Sequence, residues 1–264
     1  MADAAVLEAI LDGLGPVAVA VSGGVDSVTL AALAHRRLGG ARATMMHAVS
    51  AAVPPEATMR VRELAAREGW RLAVLDAGEF QDPRYRANPA DRCFYCKTNL
   101  YGRIAGRTGA TILSGTNRDD LDDWRPGLEA ARRHGVRHPY VEAGIDKAGV
   151  RALARTLGLG AVAELPASPC LSSRVETGIA IDPAELAMIH AVETLVGERL
   201  RPRTVRCRLR RSGLVVELDA DSLAALDEER RATLERAMAA ATGGAAVAFA
   251  PYRMGSAFLR PALG

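Results

Sequence analysis

The sequence predicts an α/β protein: a parallel sheet with helices on both faces, followed by a small α+β unit. Three observations carry this. Short apolar or β-branched runs alternate with helical stretches through the first two-thirds of the chain, as in successive βαβ units. Several of the helical stretches close on a glycine (Gly39, Gly69, Gly109, Gly135, Gly158). A buried strand at 17–21 empties into Ser22-Gly23-Gly24-Val25-Asp26-Ser27 with a helix directly behind it, and such loops are where open α/β sheets place their ligands.

The elements follow in order. Strands are expected at 17–21, 44–47, 72–75 and 111–113, with helices at 4–14, 25–38, 55–68, 95–108, 125–134 and 147–157. Near Asp182 the pattern changes. Asp182-Pro183-Ala184-Glu185 reads as an N-cap, a proline at the first helical position and a capping-box glutamate, opening a helix to about residue 195. Strands at 204–210 and 214–218 flank a turn at Ser212-Gly213; a helix at 222–241, a Gly-Gly break and a strand at 245–250 complete the unit. The expected domains are 1–180 and 181–264, with no low-complexity linker to sharpen the boundary.

With 49% hydrophobic and 25% charged residues, the composition is that of an ordinary globule. No apolar run is long enough to span a bilayer, and no basic segment precedes an apolar core at the N-terminus, so no membrane partner and a cytoplasmic location are expected. The net charge of +3 is small, and no aromatic residues interleave the basic ones, so no nucleic acid is expected as a partner. Of 34 basic residues only Lys97 and Lys147 are lysines. A lysine kept among arginines points either to a need for a compact ammonium or to chance.

Gly23 and Gly24 free the backbone to turn successive N–H groups inward as an anion nest, to which the start of the next helix adds its own N–H groups and positive dipole end. Ser22 and Ser27 supply hydroxyls, and Asp26 a carboxylate suited to Mg²⁺ or a ribose hydroxyl. No Gly-Lys-Ser/Thr follows, which separates the loop from a Walker A motif. Gly115-Thr116-Asn117-Arg118-Asp119-Asp120, directly after the fourth strand, reads as a second wall of the same site, with Asp119 or Asp120 either near Mg²⁺ or capping a helix.

The four cysteines differ in setting. Cys93-Phe94-Tyr95-Cys96-Lys97 puts two thiols at a helix start beside a cation, which favours thiolates as ligands or nucleophiles. Cys170 lies in Pro166-Ala167-Ser168-Pro169-Cys170-Leu171-Ser172-Ser173-Arg174, a rigid loop in which Arg174 would stabilise a thiolate. Cys207 alternates with arginines along a strand and reads as core, together with Val205 and Leu209. The opposite face, Arg206, Arg208 and Arg210, would grip a phosphate or carboxylate, or else stand solvated or paired with Asp and Glu of a neighbouring subunit.

The first loop resembles the pyrophosphate loop of AMP-forming ATP pyrophosphatases. Taken with Cys93–Lys97, Gly115–Asp120, the run from Trp124 to Leu128, Lys147 to Leu157, Ala167–Arg174 and Val205–Arg208, the chain resembles the LarE family of ATP-dependent sulfur transferases. The resemblance implies a pyridinium-3,5-dicarboxylate mononucleotide as small-molecule substrate, adenylated on its carboxylates by MgATP and converted to thiocarboxylates for a nickel-pincer cofactor. It implies that Ser22, Gly23, Gly24, Asp26, Ser27 and Gly115 hold ATP and that Cys170 is the sulfur-site cysteine. Arg206 and Arg208 would meet the substrate phosphate, and Glu193 would be an active-site carboxylate. Some family members sacrifice the sulfur of a single cysteine; others hold a four-iron, four-sulfur (4Fe-4S) cluster on three. Cys93 and Cys96 beside Cys170 favour the cluster, with an external sulfide donor, and a homo-oligomer is expected from the resemblance. Arg118, Trp124 and Val175-Glu176-Thr177-Gly178 depart from the family pattern. The competing expectations are an amide-forming synthetase or tRNA thiolase with the same loop, and an ATP-binding regulator without turnover.

Overall fold

The computed structural model describes residues 2–122 and 124–259. Two compact units are present: Met1–Asp82 with Asp91–Ser168, and Pro83–Ala90 with Pro169–Gly264.

In the first unit, β1 (Val17–Ala20), β2 (Ala43–Ala48), β3 (Arg71–Leu75) and β4 (Thr111–Leu113) form a parallel sheet in the order β3-β2-β1-β4. The helices in chain order are α1 (Ala2–Asp12), α2 (Val25–Arg42), α3 (Pro55–Glu68), the single turn α4 (Pro83–Arg86) that belongs to the second unit, α5 (Arg92–Ala105), α6 (Pro126–Arg133), α7 (Pro139–Glu142), α8 (Lys147–Thr156) and α9 (Gly160–Ala163). Strand alternation divides the apolar residues between the two faces. Val17, Val19, Ala43 and Met45 pack with Leu7, Leu11, Val28 and Val150 of α1, α2 and α8. Ala18 and Met46 pack on the other face with Tyr101, Ile104 and Ala131 of α5 and α6. This is the expected class, a pyrophosphate-loop-type α/β sheet covered on both faces.

The glycine stop expected at Gly109 does not hold, since α5 ends at Ala105 with Gly106 as its C-cap, but others do. Gly39 (φ 72°, ψ 166°) breaks the helical conformation of α2 at the predicted place, and Gly69 ends α3 in the left-handed region. Helix α5 begins three residues earlier than expected, so Cys93 and Cys96 both lie inside it.

The second unit holds α10 (Pro183–Leu200), β5 (Val205–Arg210), β6 (Gly213–Leu218), α11 (Ala220–Ala224), α12 (Glu228–Thr242) and β7 (Val247–Pro251). β5 and β6 are an antiparallel hairpin, and β7 adds parallel to β6. The single helix expected at 222–241 is two, because Asp219 caps Ser222 and Asp227 caps Arg230, so the chain restarts its helical bonding at each aspartate. The division between the units falls at Ser168–Pro169 rather than at 180. Residues 171–181 are tied to the second unit: Tyr85 Oη and Ser172 Oγ are 2.6 Å apart, and Asn88 Nδ2 donates to the carbonyls of Glu176 and Ile179 at 2.9 Å. Glu176 N donates to Leu209 O at 2.9 Å. No described helix is long and apolar enough to cross a membrane.

Candidate active site

The strand order reverses between β1 and β4: β1 connects to β2 on one side, whereas β4 arrives on the other. The loops leaving these neighbouring parallel strands open at one edge, the switch point at which open α/β sheets bind ligands. Residues 21–24 and 114–117 are those loops.

In the first loop only Gly23 needs to be glycine. Its φ is 90°, and a Cβ there would come within 2.8 Å of the Ala57 carbonyl oxygen. Gly24, expected to share that freedom, is extended (φ −82°, ψ 163°), a Cβ there would make only ordinary contact with Ser22 Oγ at 3.8 Å, and it is the N-cap of α2. No side chain caps this helix, so its first N–H groups remain to meet an anion. Ser27 turns inward, accepting from Ser22 N at 3.0 Å and donating to Gly24 O at 3.1 Å, while Ser22 is exposed. Ser27 therefore braces the loop, and the hydroxyl of exposed Ser22 lies 3.1 Å from Ser27 Oγ. Arg60 Nη1 donates to Gly23 O at 2.8 Å, and buried His47 Nδ1 donates to Val21 O at 2.8 Å while its Nε2 meets Thr58 Oγ1 at 2.9 Å. The carbonyl fixes the proton on Nδ1, and burial pushes the His47 pKa below the ordinary 6.5.

The second loop closes against the first at Gly115, where a Cβ would lie 2.8 Å from Asp26 C and Ser27 N. Gly115 thus sets the approach of two backbones. Asp26 is held from several sides. Asn117 Nδ2 donates to its Oδ1 at 3.1 Å, Lys147 Nζ to its Oδ2 at 2.5 Å, and Tyr140 Oη to its carbonyl at 3.1 Å. Asp119 and Asp120 take the capping role: Asp120 accepts from Asn117 N at 3.1 Å and pairs with Arg125, and Asp119 accepts from Lys147 N at 3.1 Å. Asn117 lay inside a quoted motif; Tyr140, Arg60 and His47 carried no signal that separates them from ordinary core and surface residues.

Beside this loop, Ser114 Oγ is 2.7 Å from His138 Nδ1 and 2.9 Å from Thr116 Oγ1, and burial lowers the His138 pKa. Cys93 and Cys96 are half-buried, one helical turn apart on α5. All four cysteines are thiols rather than disulfides. Among the described residues no group of three or more His, Cys, Asp or Glu side chains is placed to hold a metal ion.

In the second unit Cys170 is exposed and stands immediately before a buried 3-10 turn, Leu171–Arg174. Arg174 is 3% exposed and grips Glu193 with two bonds of 3.0 Å. Its remaining nitrogen donates to Cys170 O at 3.0 Å and Ser173 Oγ at 3.1 Å, and also bonds Pro169 O. The guanidinium expected to stabilise a thiolate instead fixes the backbone that presents it. Glu193 also accepts from Cys207 N at 2.9 Å, tying α10 to β5. Cys207 is buried as expected, and burial pushes its thiol up to about 12.

Two arginines of the β5 face, Arg208 and Arg210, are ion-paired within the unit. Arg208 is buried, donating to Glu217 Oε2 at 2.9 Å and Ser173 O at 3.2 Å, and Arg210 donates to Glu217 Oε1 at 2.6 Å. Arg206 is half-buried, and desolvation, with Arg174 beside it, lowers its pKa. Arg174 thus pairs with Glu193 and Arg208 and Arg210 with Glu217, and Arg206 lies beside them with Nη1 donating to Val205 O at 2.7 Å.

No protein-family model matches the chain. It is 32% identical over 218 residues to the pyridinium-3,5-bisthiocarboxylic acid mononucleotide synthase of Lactiplantibacillus plantarum, covering 81% of this chain and 78% of that protein. It is 34% identical over 209 residues to an uncharacterized protein of Synechocystis, covering 78% and 77%. An uncharacterized Methanocaldococcus jannaschii protein shares 25% over 146 residues, covering 54% and 56%. At 218 residues the likeness to the synthase takes in both compact units. The chain belongs to the LarE family, that of the pyridinium-3,5-bisthiocarboxylic acid mononucleotide synthase.

Proposed function

We propose that this protein is an ATP-dependent sulfur transferase that converts the carboxylates of a pyridinium-3,5-dicarboxylate mononucleotide to thiocarboxylates for nickel-pincer cofactor synthesis. The observation that carries the reading is the exposed Cys170, on a loop whose carbonyls are gripped by the buried Arg174–Glu193 pair. A structural cysteine has no use for such a mount. The likeness to the Lactiplantibacillus synthase supplies the substrate class.

In the first unit, the uncapped N-terminus of α2 with Gly23 and Ser22 binds the phosphates of MgATP. A substrate carboxylate oxygen attacks the α-phosphorus, the bond to the β-phosphate oxygen breaks, and pyrophosphate leaves with the electron pair. The acyl-adenylate so formed makes AMP the leaving group when a sulfur nucleophile attacks the carbonyl. In the second unit, the half-buried Arg206 guanidinium suits the substrate phosphate. Arg208, bound to Glu217 and to Ser173 O, braces β5 beside it. Glu193 acts on the site by holding Arg174 and β5.

For the sulfur source, Cys93, Cys96 and Cys170 would be the thiolate ligands of a 4Fe-4S cluster, and such a group would supply sulfide. The support is the cysteine set itself, and no step above depends on it. A heavy-oxygen label tests the reaction: label in the substrate carboxylates should appear in AMP in step with thiocarboxylate formation. AMP carrying no label would sink the adenylation.

A further inference from the structure

Helix α3 lies directly behind the phosphate loop. A Cβ on Gly23 would come within 2.8 Å of the Ala57 carbonyl oxygen. One turn further along the same face of α3, Arg60 Nη1 donates to the Gly23 carbonyl at 2.8 Å. Among the described residues this is the one bond the Arg60 side chain makes, and no carboxylate pairs with its guanidinium. Nor does Arg60 belong to the buried face of α3, which is Val61, Leu64 and Ala65. A guanidinium without a counter-ion, resting on a single carbonyl, acts on the peptide that carries it.

The Gly23 carbonyl and the Gly24 N–H belong to one planar trans amide and point in opposite directions. Holding the oxygen toward α3 therefore turns the Gly24 N–H to the other side of the loop. Gly24 is the N-cap of α2, and its N–H meets no acceptor among the described residues. A cation on the carbonyl oxygen also draws electron density from the conjugated amide, which makes that N–H a stronger donor. The Val21 carbonyl is held as well, by His47, but the N–H of its amide, on Ser22, is already taken by Ser27 Oγ. Of these two held carbonyls, the arginine sits on the one whose N–H is open.

We propose that Arg60 is a positioning residue for the phosphates of ATP: without touching them, it aims and strengthens the Gly24 N–H that receives them. The charge on α3 thereby reaches the anion through one peptide plane. The inference rests on the reading of this loop as the ATP site.

Calorimetric titration of the full chain with inorganic pyrophosphate and Mg²⁺ tests it in Arg60→Lys, Arg60→Gln and Arg60→Met. Lysine keeps the charge, glutamine keeps a neutral donor, and methionine keeps neither. Affinity should fall less than about threefold in Arg60→Lys, roughly 10-fold in Arg60→Gln and roughly 10- to 100-fold in Arg60→Met. The Gly24 amide gives a direct signature: in protein labelled with ¹⁵N-glycine it is the signal lost in Gly24→Ala. With saturating pyrophosphate that amide proton should lie downfield in the wild type and distinctly upfield of that position in Arg60→Gln. Arg60→Lys and Arg60→Gln decide the matter even if Arg60→Met melts early. Wild-type affinity in Arg60→Gln, an Arg60→Lys no better than Arg60→Gln, or a Gly24 signal indifferent to residue 60 would overturn the assignment. Failure of the wild type to bind either ATP or pyrophosphate would instead bring down the reading of the loop.

Discussion

Arg174 and Glu193 meet through two hydrogen bonds of 3.0 Å, with side-chain exposures of only 3% and 11%. Further attachments radiate from this pair, among them one to the Cys170 carbonyl and one to the Cys207 amide. The arrangement turns a buried charge pair into the mount for an exposed thiol. Removing one partner leaves an unpaired buried charge, which costs about 3–5 kcal/mol. Arg174→Met should therefore lower the urea midpoint of the second unit and reduce turnover more than stability alone explains. Glu193→Gln, which keeps an acceptor for Cys207 N, should cost less. Equal effects of the two would show that the charge is not what holds the loop.

The glycines separate into two kinds. Gly23→Ala and Gly115→Ala place a Cβ at 2.8 Å from backbone atoms, so the loops must move apart. Strain of this kind costs on the order of 1–3 kcal/mol, and both variants should lose ATP binding by an order of magnitude or more. Gly24→Ala meets only Ser22 Oγ at 3.8 Å and should stay within about 1 kcal/mol of the wild type in stability. Nucleotide titrations and melting curves of the three variants check the ranking.

This contrast shows what was legible in the sequence. The sheet, its two covered faces and the loop after β1 follow from periodicity and glycine placement, both local. The identity of the strained glycine does not, because it depends on Ala57, which approaches from another helix. The same limit explains Arg174 and Arg208. Their motifs marked them as important, but their partners, Glu193 and Glu217, are set by tertiary packing. The unit boundary was misplaced for the same reason: Tyr85 and Asn88 carry no local signal that they pack with residues 171–181.

Two histidines give the fold a pH dependence of definite sign. Burial lowers the pKa of both His47 and His138 below 6.5. The unfolded chain then binds protons first as pH falls, so their contribution is complete above about pH 6.5 and is lost as pH drops toward the lowered folded values. Stability should fall between about pH 7 and pH 5, and His47→Gln should flatten part of that fall. A wild-type melting temperature constant across this range would contradict the assignment.

The cysteines should separate by function and by reactivity. Exposed Cys170 should alkylate readily, whereas Cys207, with its thiol pushed up to about 12, should resist until the unit unfolds. Cys170→Ala should abolish sulfur transfer while leaving ATP binding intact. Cys93→Ala with Cys96→Ala should remove iron, acid-labile sulfide and the absorption near about 400 nm from anaerobically purified protein, and lower turnover at least tenfold. Full turnover in that double variant would exclude the cluster as sulfur source.

The most direct test of the central claim is to incubate the protein with MgATP, sulfide and pyridinium-3,5-dicarboxylate mononucleotide, and to follow AMP, pyrophosphate and the product by mass spectrometry. The account predicts AMP and pyrophosphate in equal amounts, formed only with substrate present. It also predicts a product heavier by the replacement of oxygen with sulfur, and no such product with Cys170→Ala. AMP formed without sulfur in the product, or no AMP at all, would contradict it.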